Sequence, residues 1–296
     1  MVRYFLRFSY IGTQYRGVQK QVSSPYVRDT DTIQDAGVHA LCNTGHVELQ
    51  NKYNVLYKTD EINRFVNNYF NKCGHTIRLL ECTPVTNDFH ARFSCKSRTY
   101  IYRFMIPKVP DEQRLSLVDT QHTYFIRESN FDIDRVKHGT ELFMGIKDFT
   151  TFTPPPKTNK EMVYVRSLHI FALEEAQTLI PFDPLSENFR YFHFVCKAKS
   201  FLYNQIRRMV GALIALGRRK ITEKDITVML QVPSHNNWDP RITPALASGL
   251  HLVNLEYDQE ELSRCTILDD QKVQSEGLPS EEQELQLEEQ KQELAK

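Results

Sequence analysis

The segment DTIQDAGVHALCNTGHVELQ, residues 31–50, passes from a helix signal to a strand signal without a linker. DTIQ predicts the start of a helix, because Thr30 or Thr32 can cap it and an apolar anchor follows. The next residues, DAGVHA, place Asp35 on a glycine-containing turn that leads into an extended run. We therefore expect a helix that stops at Gln34, directly before an aspartate positioned for chemistry.

Length and composition indicate a globular chain with one large or two modest domains. The chain has 296 residues, of which 41% are hydrophobic and 11% aromatic. No apolar stretch approaches the roughly 20 residues that span a bilayer. The opening residues alternate like a strand, so we expect no signal peptide and no membrane partner.

Cysteine usage points to the inside of the cell. Six cysteines occur without a C-x-x-C pair, which favours reduced thiols. His39, Cys42 and His46 are metal-ligating residue types, but a single strand with no second cluster favours ordinary strand residues. We expect a protein of the cytoplasm or the mitochondrion, and not a secreted one.

The net charge of zero conceals an asymmetry along the chain. Residues 258–296 hold 12 acidic and 4 basic residues, so residues 1–257 carry a net charge of +8. A basic body followed by an acidic segment is typical of polyanion-binding proteins. The segment 258–296 is rich in Glu and Gln, and we predict that it is disordered.

Strands and helices alternate twice in the order strand, helix, strand, strand, helix, strand. This order predicts an α+β fold of two ferredoxin-like, split β-α-β halves, residues 1–105 and 106–257. Their antiparallel sheets would meet around a central cleft, with the helices on one face. The predicted strands are 3–10, 37–49, 75–82, 97–106, 165–174, 189–199 and 249–257, and the predicted helices are 60–70, 132–143, 201–217 and a short one from Thr222.

Six blocks of sequence resemble the TruA-type tRNA pseudouridine synthases, and they occur in the order seen in that family. The similarity is nearest to the animal pseudouridine synthase A-like branch and runs from Arg3 to Tyr257. The blocks are YIGTQYRGVQ (10–19), DAGVHA (35–40), DFHARFSCKSRTYIYRF (88–104), GIKDFTTF (145–152), KSFLYNQIRRMVGALIALG (199–217) and ASGLHLVNLEY (247–257).

The resemblance implies an isomerase that detaches a uracil from its ribose in tRNA, turns it and rejoins it through carbon 5. It implies a homodimer that needs no cofactor and no metal. Asp35 matches the family's nucleophile or base at the sugar, Tyr100 the tyrosine that contacts the target base, and Arg207 the arginine that pairs with the catalytic carboxylate. An adjacent guanidinium favours an ionised carboxylate, and an aromatic ring gives a base a stacking partner.

Four further cations are candidates for phosphate contacts that offset the cost of flipping the target nucleotide: Arg92, Lys96, Arg98 and Arg208. Each candidate also has an ordinary structural interpretation, as a turn aspartate, a half-buried strand tyrosine or the solvated face of a helix. The alternative function is a catalytically inactive RNA-binding module of the same fold. A scaffold that acts through the acidic segment is a third possibility.

The chain departs from the family directly before Asp35. In the family, T-[VI]-Q opens a full helix, and a loop and a central strand follow that end in an arginine and a threonine. Here Gln34 abuts Asp35, so roughly 25 residues are missing. We predict a loss of about 10 kcal/mol of apolar burial and of one cation that helps to extrude the nucleotide. A chain with this deletion should fold poorly or act weakly.

Overall fold

The computed structural model describes residues 2–15, 36–49, 56–156 and 162–267. The predicted helix start at DTIQ, Asp35 and most of the acidic segment lie outside these residues. The strands are β1 (Val2–Tyr10), β2 (His39–Leu49), β3 (Ile77–Val85), β4 (Cys95–Pro107), β5 (Tyr124–Phe125), β6 (Gly145–Asp148), β7 (Val165–Ala176), β8 (Phe189–Ala198) and β9 (Leu250–Tyr257); the helices are α1 (Thr59–Lys72), α2 (Leu117–His122), α3 (Ile133–Glu141), α4 (Gln205–Gly217), α5 (Glu223–Gln231) and α6 (Gln259–Cys265).

All nine strands belong to one mixed sheet, in the order β3-β1-β2-β9-β4-β8-β7-β6, with β5 beside β4. Neighbours are antiparallel except at two places, β2 beside β9 and β4 beside β5. This arrangement confirms the predicted α+β class. The strands assigned to the two halves share one continuous sheet, and β4 crosses residue 105, so the division into two split halves stays a prediction.

The ladder of paired residues between β2 and β9 is short. β2 pairs with β1 along almost the whole of β1, from Val2 to Tyr10. With β9 it forms only the pairs His39 with His251 and Ala40 with Leu252. Further along, the contact continues through side chains, since the Thr44 and Tyr257 hydroxyls are hydrogen-bonded. This narrow ladder joins the N-terminal strands to the rest of the sheet.

The main apolar core lies between the sheet and the helices α3, α4 and α5. Phe104, Phe194, Met209 and Leu213 are fully buried there. α4 approaches its neighbours closely, since a Cβ on Gly211 would lie 2.4 Å from the Thr243 carbonyl oxygen. The apolar stripe predicted from the sequence therefore packs as expected and anchors the N-terminal end of α4.

The predicted boundaries of α3 and α4 differ from the structure. The helix expected from residue 201 begins at Gln205, because Asn204 adopts a left-handed conformation with φ 58°. The helix expected over 132–143 ends at Glu141, although Phe143 beyond its end is fully buried. The short helix after Thr222 has the predicted capping box with Asp225. The late start of α4 leaves residues 200–204 free to form a wall of the candidate site.

Candidate active site

A pocket of about 560 Å³ lies where β4, residues 199–204 and the first turn of α4 meet. Five cationic side chains line it, and among the described lining residues there is no aspartate or glutamate. Aromatic side chains line it as well. A cationic, aromatic-lined cavity suits an anionic ligand that carries a planar base. The cations are Arg92, Arg98, Arg166, Lys199 and Arg207, and the aromatic residues are Phe93, Tyr100, Phe201 and Tyr203.

Arg207 is held in a defined orientation at the pocket wall. Its Nε donates to the Ala245 carbonyl oxygen at 2.7 Å, and its Nη1 donates to Asn204 Oδ1 at 2.9 Å. The backbones of the same two residues are also hydrogen-bonded, since the Ala245 N–H donates to the Arg207 carbonyl at 2.9 Å. A guanidinium fixed in this way is preorganised to pair with a carboxylate.

Tyr100 stands on β4 at an irregular position in the sheet. It pairs with Cys196 of β8 and with Leu252 of β9, and the register with β9 shifts between Thr99 and Tyr100. Such shifts re-aim side chains and are common beside active sites. The Tyr100 ring meets Phe201 edge-on, with 5.3 Å between centroids and 87° between planes. The half-buried ring lines the pocket.

Arg98 and Arg92 also line the pocket, and their contact with phosphate stays a prediction. The Nε of Arg98 is buried and has no hydrogen-bond partner among the described residues. A buried donor without a partner costs about 1–3 kcal/mol. Arg92 is exposed, and its guanidinium lies 5.8 Å from the centroid of the Phe93 ring. Both residues are therefore placed for contact with a polyanion.

Lys96 and Arg208 do not line the pocket. Lys96 is exposed, and its Nζ lies 3.6 Å from a carboxylate oxygen of Glu261 on α6. Arg208 points to the other side of α4, where its Nη1 donates to the carbonyls of Thr151 and Thr153. Its guanidinium also lies 4.6 Å from the Trp238 ring centroid. Arg208 therefore holds a turn, and any contact of these two residues with RNA stays a prediction.

Two cations of the pocket were not among the predicted site residues. Arg166 on β7 donates through Nη1 to the carbonyls of Val163 and Val165, and burial lowers the pKa of its guanidinium. Lys199 follows the end of β8. Lys199 belongs to the block 199–217 that resembles the family, so the sequence resemblance could have identified it as a candidate. Arg166 belongs to none of the six resembling blocks. It reaches the pocket because β7 pairs with β8.

Asp35 lies outside the described residues, but its neighbours on the C-terminal side are placed. Val38 lines the pocket. Gly37 has φ +81°, a conformation that favours glycine. Its N–H donates to the Tyr15 carbonyl at 3.2 Å, so the chain before residue 16 and the chain after residue 35 lie side by side.

Three histidines form the one group among the described residues with metal-ligand spacing. One nitrogen each from His39, His122 and His251 lie within 4.8 Å of one another. The Gly12 N–H donates to Nδ1 of His39 at 3.2 Å, so in the neutral ring Nε2 carries the proton. Burial, and next His122, lower the pKa of His39 to about 4. Burial, and next His39, lower that of His251 to about 3.

Comparison with known proteins shows what this chain is similar to. A family model described as tRNA pseudouridine synthase matches residues 140–258, which include Arg166, Lys199 and Arg207. The tRNA pseudouridine synthase-like 1 of Xenopus laevis is 28% identical, over 92% of this chain and 97% of its own length. The tRNA pseudouridine synthase A of Allorhizobium ampelinum is 29% identical, over 87% of this chain and 95% of its own.

The fold, the cation-lined pocket and these matches define a member of the RNA-modifying isomerases. More narrowly, the chain is similar to the TruA-type tRNA pseudouridine synthases over most of its length. The alignment with the Xenopus protein runs over 298 positions yet uses 92% of this 296-residue chain. The relative therefore has residues where this chain has none, as a deletion predicts; the location of the gap stays a prediction.

No helix in the described part of the chain is long and apolar enough to cross a membrane.

Proposed function

We propose that this chain isomerises a uridine of tRNA, in the anticodon arm, to pseudouridine through an aspartate-dependent mechanism. One observation carries the proposal. Tyr100 and Arg207, which are 107 residues apart in the sequence, line the same cationic pocket. The resemblance assigns these two residues to the target base and to the catalytic carboxylate, and a shared cavity is what both roles require.

The sequence position of Asp35 supports it as the nucleophile. Asp35 is three positions before Val38, and Val38 lines the cavity. In this proposal the Arg207 guanidinium of the same cavity keeps the carboxylate of Asp35 ionised.

The reaction breaks the bond between ribose C1′ and uracil N1, and then forms the bond between C1′ and uracil C5. The proton on C5 leaves, and N1 takes up a proton, so the product is an isomer of the substrate. An ionised carboxylate at the sugar is stabilised by the Arg207 guanidinium through charge-assisted hydrogen bonds. The Tyr100 ring offers the flipped uracil a face for stacking, and its hydroxyl offers a path for a proton.

Release of tritium from tRNA labelled at uracil C5 tests the proposal. We expect turnover with the wild-type chain and none with Asp35→Asn, because the amide cannot attack the sugar. Asp134→Asn is the matched control, since Asp134 is exposed on α3 and outside the pocket. If the wild-type chain binds tRNA but releases no tritium, the chain is an RNA-binding module, the alternative function that the same pocket allows.

We also propose that the missing segment before Asp35 impairs this chain. The two-pair ladder between β2 and β9 supports a weak junction beside the same segment. Insertion of the corresponding segment of the Xenopus relative between Gln34 and Asp35 tests this idea. A higher unfolding temperature and faster tritium release are expected, whereas equal values would contradict the impairment.

The resemblance supports two further proposals, a homodimer and an intracellular location in the cytoplasm or the mitochondrion. All six cysteines are free thiols, which suits a reducing compartment. Light scattering on the purified chain tests the dimer, and a mass of 34.7 kDa would contradict it. Fractionation of cells that express the tagged chain tests the location, and secretion into the medium would contradict it.

A further inference from the structure

Four neighbouring strands, β4, β8, β7 and β6, each bring one cation to the same end of the sheet. In their antiparallel register Arg98 lies opposite Ala198, Ala198 opposite Leu168, and Leu168 opposite Gly145. Strands are about 4.8 Å apart, so this line spans about 14 Å from β4 to β6. Each cation lies on the line or within two residues of it. We call them the basic stripe: Arg98, Lys199, Arg166 and Lys147.

Lys147 and Arg166 lie directly opposite each other on β6 and β7. Side chains in such a pair share a face, with Cβ atoms about 4.5–5.5 Å apart, and like charges there destabilise the sheet. No carboxylate of a described residue is ion-paired with either cation. Asp148, the neighbour of Lys147, accepts the Thr150 N–H at 2.8 Å instead. The free chain therefore contains a repulsive pair, which a bound anion would relieve.

Two arginines of the basic stripe have buried donors without a partner. The Nε atoms of Arg98 and Arg166 have no hydrogen-bond partner among the described residues. Nη1 of Arg166 donates to carbonyls one and three positions away in the sequence. Arg208 differs, because its bonds reach carbonyls 55 and 57 positions away and join distant parts of the fold. The local bonds of Arg166 orient its guanidinium without joining distant parts of the fold, as a ligand site requires.

Protection of a sheet edge is the competing explanation for Lys147. β6 is the last strand of the sheet, and lysines on edge strands block pairing with other chains. This explanation does not extend to Arg98 and Arg166, because β4 and β7 have neighbours on both sides. The stripe also begins inside the pocket, which Arg98, Arg166 and Lys199 line.

We propose that the basic stripe is a track for the backbone of a single RNA strand, which leaves the pocket across β7 and β6. This inference rests on the proposed function, because the same strand carries the target nucleotide in the pocket. Arg98 contacts the phosphate nearest to that nucleotide, Arg166 the same phosphate or the next one, and Lys147 the farthest. A cationic track beside stacking aromatic rings is typical of single-strand binding.

Binding of an anticodon-arm hairpin RNA at several salt concentrations tests the track. Lys147→Gln and Arg166→Gln should each reduce the slope of log K against log salt by about 1, and the double variant by about 2. Lys147→Arg keeps the charge and should keep the slope. Arg64→Gln is the matched control, because Arg64 is exposed on α1, which packs on β3 at the other edge of the sheet. A wild-type slope in the double variant would overturn the proposal.

Neutral methylphosphonate groups, placed one at a time in the hairpin, locate the phosphate that each cation contacts. A variant should be insensitive to methylphosphonate at its own phosphate, because that contact is already lost. The positions found with the glutamine variants should follow the order Arg98, Arg166, Lys147 along the RNA strand. A position for Lys147 between the other two would overturn the track, and so would the absence of any such position for Lys147.

The unfolding temperature of the free protein separates RNA binding from protection of the edge. Lys147→Gln should raise this temperature at low salt, because the repulsion with Arg166 is lost. A lower unfolding temperature would assign Lys147 to stability and overturn its place in the track. These measurements do not depend on turnover. A hairpin that binds with the expected pattern but releases no tritium would contradict the proposed function and leave the track standing.

Discussion

Arg207 Nη1 donates a hydrogen bond of 2.9 Å to Asn204 Oδ1, and Asn204 is the left-handed residue directly before α4. The same residue thus ends the irregular wall of the pocket and orients the guanidinium. The sequence resemblance identified Arg207 as a candidate. The role of Asn204 was not predicted, because it depends on the left-handed backbone conformation of that residue. Together they place a fixed cation at the start of a buried helix.

Two replacements of Asn204 should distinguish the strain of its left-handed backbone from its role in orienting the Arg207 guanidinium. Asn204→Ala loses the bond to Arg207 and must adopt φ 58°, so unfolding should become easier by about 1–2 kcal/mol. Asn204→Gly loses the same bond without this strain, so it should be more stable than the alanine variant. Both should lower kcat, as tritium release and urea unfolding will show. Equal kcat in wild type and both variants would contradict an orienting role.

The ring of Tyr100 should matter more for binding than its hydroxyl. Tyr100→Leu should weaken tRNA binding by about 1–3 kcal/mol, the contribution of one base stacked on an aromatic side chain. Tyr100→Phe keeps the ring and should bind as the wild type does. Filter binding measures both. Tyr69→Leu, an exposed ring on α1 outside the pocket, is the control and should bind normally.

Replacement of Arg98 should change the salt dependence of RNA binding, whereas replacement of Arg208 should change stability, although both are cationic candidates from the sequence. Arg98→Gln should reduce the slope of log K against log salt by about 1, as the loss of one phosphate contact does. Arg208→Gln should leave that slope unchanged, because its guanidinium contacts Thr151, Thr153 and Trp238 instead. It should lower stability by about 1–3 kcal/mol through its unpaired carbonyl partners. A reduced slope in Arg208→Gln would restore its predicted role at the RNA.

The pair of Lys96 and Glu261 should weaken RNA binding slightly at low salt. Glu261→Gln removes the carboxylate that lies 3.6 Å from Lys96 Nζ and frees this cation for phosphate. Because both groups are partly exposed, the gain in affinity should stay below about 1 kcal/mol. Binding titrations in low and high salt test this, since a gain that persists at high salt would not be electrostatic.

The histidine cluster should make the fold sensitive to acid. Burial lowers the pKa of His39 to about 4 and that of His251 to about 3, from the ordinary value of 6.5. In the unfolded chain both rings take up protons as the pH falls below 6.5, whereas the folded rings stay neutral. Stability should therefore be full above pH 6.5 and fall progressively toward pH 4.

Urea unfolding at several pH values measures this dependence. His251→Asn cannot take up a proton in the unfolded state, so its stability should fall less steeply over the same interval. His138→Asn on the exposed face of α3 should keep the wild-type slope. An unchanged slope in His251→Asn would show that the buried rings do not control the acid sensitivity.

Local patterns were enough for most of the fold. Alternating apolar residues predicted β4 and β8, and the pair Thr222 and Asp225 predicted a capping box that the structure contains. These features depend on residues close in sequence, so their physical cause is visible in the sequence. The start of α4 was predicted four residues early, because the left-handed turn at Asn204 has no strong local signal.

The sequence by itself determined the α+β class and identified Tyr100, Arg92, Arg98 and Arg207 as candidates. The predicted order of elements was wrong, because among the described elements β1 is followed by β2 and not by an α-helix, and α2, β5 and β6 were not predicted. Only the tertiary structure decided which cations share a pocket. Arg166 reaches it through strand pairing, whereas Arg208, one residue after Arg207, faces the opposite side of α4. The reason is that one residue along a helix rotates a side chain by about 100°, and only packing determines which direction faces the substrate.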